Sequence, residues 1–185
     1  MPTQKKQTIA LLASTPLKLL LKLRHGRRIQ FGKKVILNTR FKFTGPGTLR
    51  IGDHSTLWAH AEKNEFHTYD PNATIEIGAH SRLNGANIQC KTQVIIGEKS
   101  IIGSALITDT DHHSTNPDHR NNPDYIKSAP ITIRENCWIA GQSAILKGVE
   151  IGHNSTIGFR SVVTKNIPSN SIAVGNPAKV IKTID

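Results

Sequence analysis

An all-β chain, folded as a parallel β-helix of hexapeptide repeats, is what this sequence predicts, and three observations predict it. First, five segments align without gaps: "IGDHSTL" from Ile51, "IGAHSRL" from Ile77, "IGEKSII" from Ile96, "IRENCWI" from Ile133 and "IGHNSTI" from Ile151. Each carries aliphatic residues at its first and seventh positions and a small residue at its fifth. Second, from Ile133 the six-residue period runs unbroken through Ile139, Ile145, Ile151, Ile157 and Val163. A helix would repeat apolar residues every three or four positions and a simple strand every two. A period of six suits short flat strands joined by turns, with the aliphatic residue in the core and the small one in a tight corner. Third, aromatic residues make up only 5% of the chain, which argues against a sandwich or an α/β core built on large rings.

Three hexapeptides make a triangular coil of about 18 residues. The segment starts are separated by 26, 19, 37 and 18 residues, so coils carry excesses of 8, 1 and 19 residues that read as loops expelled from a rigid frame. The first excess falls near "NEFHTYDP" and the largest near "DTDHHSTNPDHRNNPDYIKS". Long loops on a repetitive scaffold are where function tends to sit, and the second one gathers histidines, aspartates and an arginine.

The ends depart from the repeat, as solenoid caps must. Residues 1–30 form a basic segment with a short helix: Ser14 or Thr15 as N-cap, Pro16 at the first helical position and Gly26 as stop. Its leucines surround Lys18 and Lys22, so it reads as a cap on the first coil, with docking on a membrane surface the sharper alternative. Residues 31–167 form the β-helix domain, with the loop at about 109–128, and residues 168–185 a C-terminal tail.

One domain suits 185 residues. Cys90 and Cys137 are too few for a disulfide framework and have no zinc spacing, so a reducing, cytoplasmic setting is expected. No apolar run is long enough to span a bilayer, and no convincing signal peptide precedes the repeat. The net charge of +11 calls for an anionic partner: nucleic acid, lipid or a phosphate-bearing cofactor. Nucleic-acid signatures are absent.

"NCWIAGQSAILKGVEIGHNSTIGFRSVVTKNIPSNSIAVGNPAKVIK" carries a resemblance. The chain resembles the hexapeptide-repeat acyltransferases over roughly residues 30–183, and most of all the maltose/galactoside and polysaccharide sugar O-acetyltransferases. That resemblance implies a left-handed β-helix, a homotrimer with sites between subunits, acetyl-CoA as acyl donor, no metal, and a sugar or glycan-precursor acceptor in polysaccharide biosynthesis. The handedness rests on the resemblance alone, because parallel crossovers are normally right-handed.

The family's catalytic histidine, placed where a strand enters the long loop, matches His112. Imidazole titrates near neutrality and can take the proton of a hydroxyl that is otherwise a poor nucleophile. His113 is the rival, and since strand neighbours point to opposite sides only one faces the acceptor. Asp111 would orient the imidazole; Asp109 reads as a solvated loop carboxylate. The resemblance places an oxyanion donor at Gly141 and runs the coenzyme past Gly141, Gln142, Phe159 and Arg160 to Thr164, Lys165, Lys179 and Lys182, the tail completing the site. Phe159 departs from the family's small residue at a cofactor contact, which leaves it the option of pointing outward to stack on adenine. Asn84, Asn87, Asp118, Arg120 and Trp138 are the acceptor-side candidates, Trp138 as support for the histidine loop. Cys137 is a corner residue of the repeat, not a nucleophile.

Other readings remain. N-acylation of an amino sugar would use the same base. A γ-class carbonic anhydrase would need His80, His112, His113 or His119 as zinc ligands, without the expected spacing. A non-enzymatic basic module for acidic glycan or membrane would explain the charge but not the matches around His112 and Lys165.

Overall fold

The computed structural model describes residues 4–184, with side chains from Thr8 onward; residues 1–3 and 185, the extremes of the two terminal segments, lie outside the described residues. Six coils follow one helix. Coil 1 comprises β1 (Ile29–Phe31), β2 (Ile36–Leu37) and β3 (Phe41–Thr44); coil 2, β4 (Thr48–Ile51), β5 (Thr56–Leu57) and β6 (Asn64–Thr68). Coil 3 comprises β7 (Thr74–Ile77), β8 (Arg82–Leu83) and β9 (Asn87–Cys90); coil 4, β10 (Gln93–Ile96), β11 (Ile101–Ile102) and β12 (Leu106–Thr108). Coil 5 comprises β13 (Ile131–Ile133), β14 (Trp138–Ile139) and β15 (Ala144–Leu146); coil 6, β16 (Glu150–Ile151), β17 (Thr156–Ile157) and β18 (Val162–Val163). A hairpin of β19 (Ser171–Gly175) and β20 (Ala178–Thr183) closes the chain.

The first strands of the coils stack into sheet A, the second into sheet B and the third into sheet C. All pairing between coils is parallel; β19 joins the end of sheet B in parallel and β20 adds to it antiparallel. Period-two alternation within each short strand sends one side chain inward and the next outward. The core is therefore a set of columns: Leu49, Ile75, Val94 and Ile131 in sheet A, Leu57, Leu83, Ile102 and Ile139 in sheet B, and Ile88, Ile107 and Ile145 in sheet C, each at most 1% exposed.

The corner between sheets A and B shows why the repeat needs a small fifth residue. Ser55, Ser81, Ser100, Cys137, Ser155 and Ser171 form a buried column there. The Ser55 hydroxyl donates to the Gly78 carbonyl of the next coil (2.9 Å), Ser81 to Gly97 (3.1 Å), Ser100 to Arg134 (3.2 Å) and Ser155 to Pro168 (2.8 Å). Cys137 takes the same place with its thiol on the Gly152 carbonyl (3.1 Å). Burial pushes its pKa up, which suits packing and disfavours the thiolate a nucleophile needs. Coils approach so closely that a Cβ at Gly97 would lie 2.4 Å from the Glu135 nitrogen.

Two expectations need correction. "NEFHTYDP" is not an expelled loop: Asn64–Thr68 is β6, a full member of sheet C, with Asn64, Phe66 and Thr68 buried and Glu65 and His67 outward. The extra residues of that coil sit in the turns on either side. The helix, α1 (Gln4–His25), begins well before Ser14 and contains Pro16 in its interior. Ser14 and Thr15 do not cap it; both hydroxyls donate back to the Leu11 carbonyl, at 2.9 and 3.0 Å. The residues upstream, rich in Gln, Lys, Ala and Leu, are good helix formers. Gly26, at φ +60°, does end the helix.

α1 lies over coil 1, burying Leu21, Ser14 and His25. The His25 ring rests 5.0 Å from that of Phe43, and its Nδ1 is buried without a partner among the described residues. Burial, then Arg28 and Arg24, hold its pKa below the ordinary 6.5. The folded chain thus resists protonation that the unfolded chain accepts, so this contribution to stability is complete above about pH 6.5 and is lost as pH falls below it. Thermal unfolding followed by circular dichroism between pH 7.5 and 5.5 is expected to show the wild type losing more stability than His25→Phe. Parallel losses in the two proteins would refute this role for His25.

Candidate active site

The long loop leaves sheet C after β12 and returns at β13, and it is anchored at its root. Asp109, read from sequence as solvated, is fully buried. Its carboxylate accepts from the backbone N–H of Lys91 (2.6 Å), Thr92 (2.6 Å) and Gln93 (2.9 Å) and from the Thr92 hydroxyl (2.7 Å). It ties the loop to the preceding turn and sits beside the Cys90 thiol, whose pKa rises through burial and this carboxylate. Beyond it, Thr110 bridges Ser128, and the Ser128 hydroxyl donates to Thr110 Oγ1 at 2.9 Å. Two 3₁₀ turns, Pro117–His119 and Pro123–Tyr125, shape the tip, capped by Asn116 and Asn122 and joined by stacking of His119 on Tyr125 (3.9 Å).

Ten non-glycine residues have positive φ among the described residues. Nine occupy equivalent turn positions, each just before a corner residue of the repeat; the tenth is His112, at φ 62°. A left-handed conformation outside the repeat's own geometry is a local cost that marks candidate functional residues. The His112 ring is half-buried, and Tyr69 presents to it at 5.2 Å in an edge-to-face contact. Its Nε2 lies 3.2 Å from Thr108 Oγ1. The Thr108 hydroxyl donates its single proton to the Thr110 carbonyl (3.1 Å), so Thr108 accepts from Nε2–H, a tautomer assigned from this network. Nδ1 is left with its lone pair and no hydrogen bond among the described residues.

Thr108, which sequence reasoning missed, therefore holds the imidazole in place of Asp111. The Asp111 carboxylate is taken by Lys147 at 2.5 Å, a half-buried ion pair. His113 is exposed and its Nδ1 meets Asn121 Oδ1 at 3.1 Å. Asp118 and Arg120 form no ion pair with each other; Arg120 donates to the Ser114 carbonyl (3.1 Å) and Asp118 stays exposed.

Outward side chains of sheet C continue the site. Thr44, His67, Tyr69, Asn87 and Gln89 line a depression of about 240 Å³ with Lys42 and Glu65. His67 Nδ1 meets Thr44 Oγ1 at 2.7 Å, and the Tyr69 hydroxyl donates to Gln89 Oε1 at 3.0 Å. Of the predicted acceptor residues, Asn87 is here. Asn84 is at the corner between sheets B and C, where its Oδ1 accepts the His60 N–H at 3.0 Å. Trp138 is 53% exposed on sheet B, between Ile101 and Thr156, and so lies on a different face from the loop it was expected to support. The signal for His67 and Tyr69 is the alternation in "NEFHTYD", which lies inside an interval longer than the repeat and so reads as an excess.

The predicted coenzyme residues divide among three places. Gly141, Gln142, Phe159 and Arg160 stack at the corner between sheets B and C. Gln142 Oε1 accepts from Arg160 Nε at 2.7 Å, the Arg160 guanidinium covers the Phe159 ring at 5.2 Å, and that ring passes 3.8 Å from where a Gly141 Cβ would sit. Phe159 points outward, 60% exposed. Exposed Thr164 and Lys165 follow β18 at the next corner, and exposed Lys179 and Lys182 lie on β20. Within one chain the Gly141 stack does not meet His112, because the loop leaves one edge of sheet C and the stack occupies the other; Thr164 and Lys165 lie on the loop's edge, two coils further on. Among the described residues no three His, Cys, Asp or Glu side chains come together as a metal site.

Residues 130–165 match the family described as bacterial transferase hexapeptide (six repeats). An Escherichia coli protein named as a colanic acid biosynthesis acetyltransferase, WcaF, is 32% identical over 153 residues, 83% of this chain and 68% of that protein. The chain belongs to the hexapeptide-repeat acetyltransferases. A Staphylococcus aureus acetyltransferase relative is 53% identical over 73 residues, 40% of this chain; the match spans only about a third of that relative's length, 36%. Among solved structures of the family, the hexapeptide-repeat acetyltransferase VCA0836 of Vibrio cholerae superposes with a TM-score of 0.63 at 20% identity, covering 98% of this chain and 90% of its own; it has also been crystallised with acetyl coenzyme A. The polySia-specific acetyltransferase NeuO superposes with a TM-score of 0.56 at 24% identity, covering 84% of this chain and 82% of its own. The shared architecture is the left-handed parallel β-helix.

Asp109→Ala removes a buried acceptor from three backbone N–H groups at once. A loss of about 3 kcal/mol is expected in denaturant unfolding; a loss within about 0.5 kcal/mol, the usual range of a surface change, would show that the loop root is held by other contacts.

Proposed function

We propose that the protein transfers an acetyl group from acetyl-CoA directly to a hydroxyl of a sugar or glycan precursor, with His112 as general base. The observation that carries this reading is His112, whose backbone is left-handed and whose half-buried imidazole is tied through Nε2 to Thr108 so that Nδ1 stays free. Nδ1 takes the acceptor's proton as the hydroxyl oxygen attacks the thioester carbonyl. The Gly141 N–H stabilises the oxyanion of the tetrahedral intermediate, and the imidazolium returns its proton to the departing thiolate. No hydrogen bond uses the Gly141 N–H among the described residues, a property it shares with equivalent turn residues such as Glu98 and Glu135.

A homotrimer completes the site. His112 and the Gly141 stack lie on opposite edges of sheet C, so a neighbouring chain brings the second edge to the first. Gln142, Phe159 and Arg160 then border the pantetheine arm, and Thr164, Lys165, Lys179 and Lys182 meet the adenine and phosphates as point charges. The hydroxyl, amide and imidazole groups of Thr44, His67, Asn87 and Gln89 beside the Tyr69 ring suit a polyhydroxylated acceptor. Relatives named for colanic acid and polySia support a glycan acceptor.

Free-thiol release from acetyl-CoA, measured against a panel of sugars and nucleotide sugars, tests the reading. His112→Ala is expected to lower turnover roughly 10²–10⁴-fold with unchanged circular dichroism. Undiminished turnover would place the base elsewhere, and failure of the wild type both to release thiol and to bind CoA would overturn acetyl transfer itself.

A further inference from the structure

The helix α1 has two apolar faces, and only one is used by the fold. Leu21, Ser14 and His25 face coil 1. On the opposite side Ile9, Leu12, Pro16, Leu19, Leu20 and Leu23 fall within about 100° of arc at 3.6 residues per turn. The five aliphatic members are between 59% and 77% exposed, a concentration that soluble monomers seldom leave to water. Because the buried face lies on the first coil, this stripe points away from the solenoid, off its N-terminal end.

The charge of the molecule is gathered at that same end. Residues 1–52 hold 12 of the 24 Lys and Arg residues and none of the 13 Asp and Glu, a net +12; the remaining 133 residues carry 12 basic and 13 acidic groups, a net −1. The whole excess positive charge thus belongs to α1 and the first turns of the solenoid. Lys22 and Arg24 flank the stripe, and Arg27 and Arg28 follow in the 3₁₀ turn after it. Lys18 is drawn inward, its Nζ donating to the Val35 carbonyl at 2.9 Å. No helix among the described residues is long and apolar enough to cross a membrane, which leaves the interfacial mode: aliphatic side chains in the acyl boundary, cations among the headgroups.

We propose that α1 docks the protein on an anionic lipid bilayer through Ile9, Leu12, Leu19, Leu20 and Leu23, with Lys22, Arg24 and Arg27 on the headgroups, while Arg28 turns inward to donate to the Gly45 carbonyl. The solenoid axis then stands away from the membrane. His112, at the end of coil 4, is three coil spacings of about 4.8 Å above coil 1, so the sheet C face runs from the lipid surface up to the candidate base. The docking stands independently of acetyl transfer.

The test is co-sedimentation of the full chain with vesicles of phosphatidylcholine mixed with phosphatidylglycerol, against vesicles of phosphatidylcholine alone. The wild type is expected to pellet with the mixed vesicles at low salt and to be released as salt screens the headgroups. Leu12→Ser/Leu19→Ser/Leu23→Ser changes only exposed side chains, keeps the fold by circular dichroism and is expected to weaken partition about 100-fold. Lys22→Gln/Arg24→Gln/Arg27→Gln is expected to erase the preference for the anionic vesicles. Equal pelleting with both vesicle types, or no pelleting with either, overturns the proposal. So does a serine variant that pellets like the wild type, which would make the surface a charge patch for a soluble polyanion. A serine variant that lowers the protein's sedimentation coefficient overturns it too, because the stripe would then be a contact between copies of this chain.

Discussion

The structure depends on the corner where sheet A turns into sheet B. Each coil must place there a residue small enough to be enclosed and polar enough to meet the next coil's carbonyl. Ser55, Ser81, Ser100 and Ser155 do both, and some accept as well as donate: the Ser81 N–H reaches Ser55 Oγ and the Cys137 N–H reaches Ser100 Oγ, each at 3.2 Å. A buried backbone carbonyl left without a donor is costly, so the column links coils in addition to the strand ladders. The frame it fixes has no slack for insertions, and any extra residue must leave at a corner.

That constraint explains the candidate site. The single large insertion leaves at the edge of sheet C, and Asp109 fastens its root to the backbone of the previous turn. With the root fixed, His112 can be held in a left-handed conformation that an unanchored loop would relax. Thr108 sets the tautomer, Tyr69 packs against the ring edge, and the outward positions of β3, β6 and β9 supply polar groups beside it. The same rigidity keeps His112 and the Gly141 stack on opposite edges of sheet C. A straight three-sided solenoid offers flat faces and ridges, which is why the proposed site, using both edges of sheet C, is proposed to be closed by a second chain.

Much of this was legible in the sequence because the repeat is written in residue size. The six-residue period located the sheet A and sheet B columns, the corner serines and the place of Cys137. It also located the long insertion, within which the family resemblance singles out His112 as the candidate base. What escaped depended on contacts without a period. "NEFHTYDP" carries Phe66 in the column place that Ile88 takes in the next coil, so β6 was hidden and His67 and Tyr69 with it. Asp109 and Asp111 look alike in sequence, yet one turns inward to three backbone donors and the other outward to Lys147. Ser14, Thr15 and Pro16 spell a helix start, and only the favourable residues upstream carry α1 past them. The solvent-facing stripe of α1 was blurred because leucines crowd both of its faces.

The central claim is that the candidate active site is divided between chains, with His112 from one and the Gly141 stack from the next. Subunit complementation tests it most directly. His112→Ala and Gly141→Trp, each inactive alone, would be co-refolded in equal amounts and assayed for acetyl-CoA-dependent thiol release. For a closed ring with heterologous interfaces, random mixing should restore about a quarter of the wild-type rate, because only interfaces that pair an intact histidine with an intact glycine corner can work. No recovery from mixed assemblies shown to contain both variants would contradict the claim.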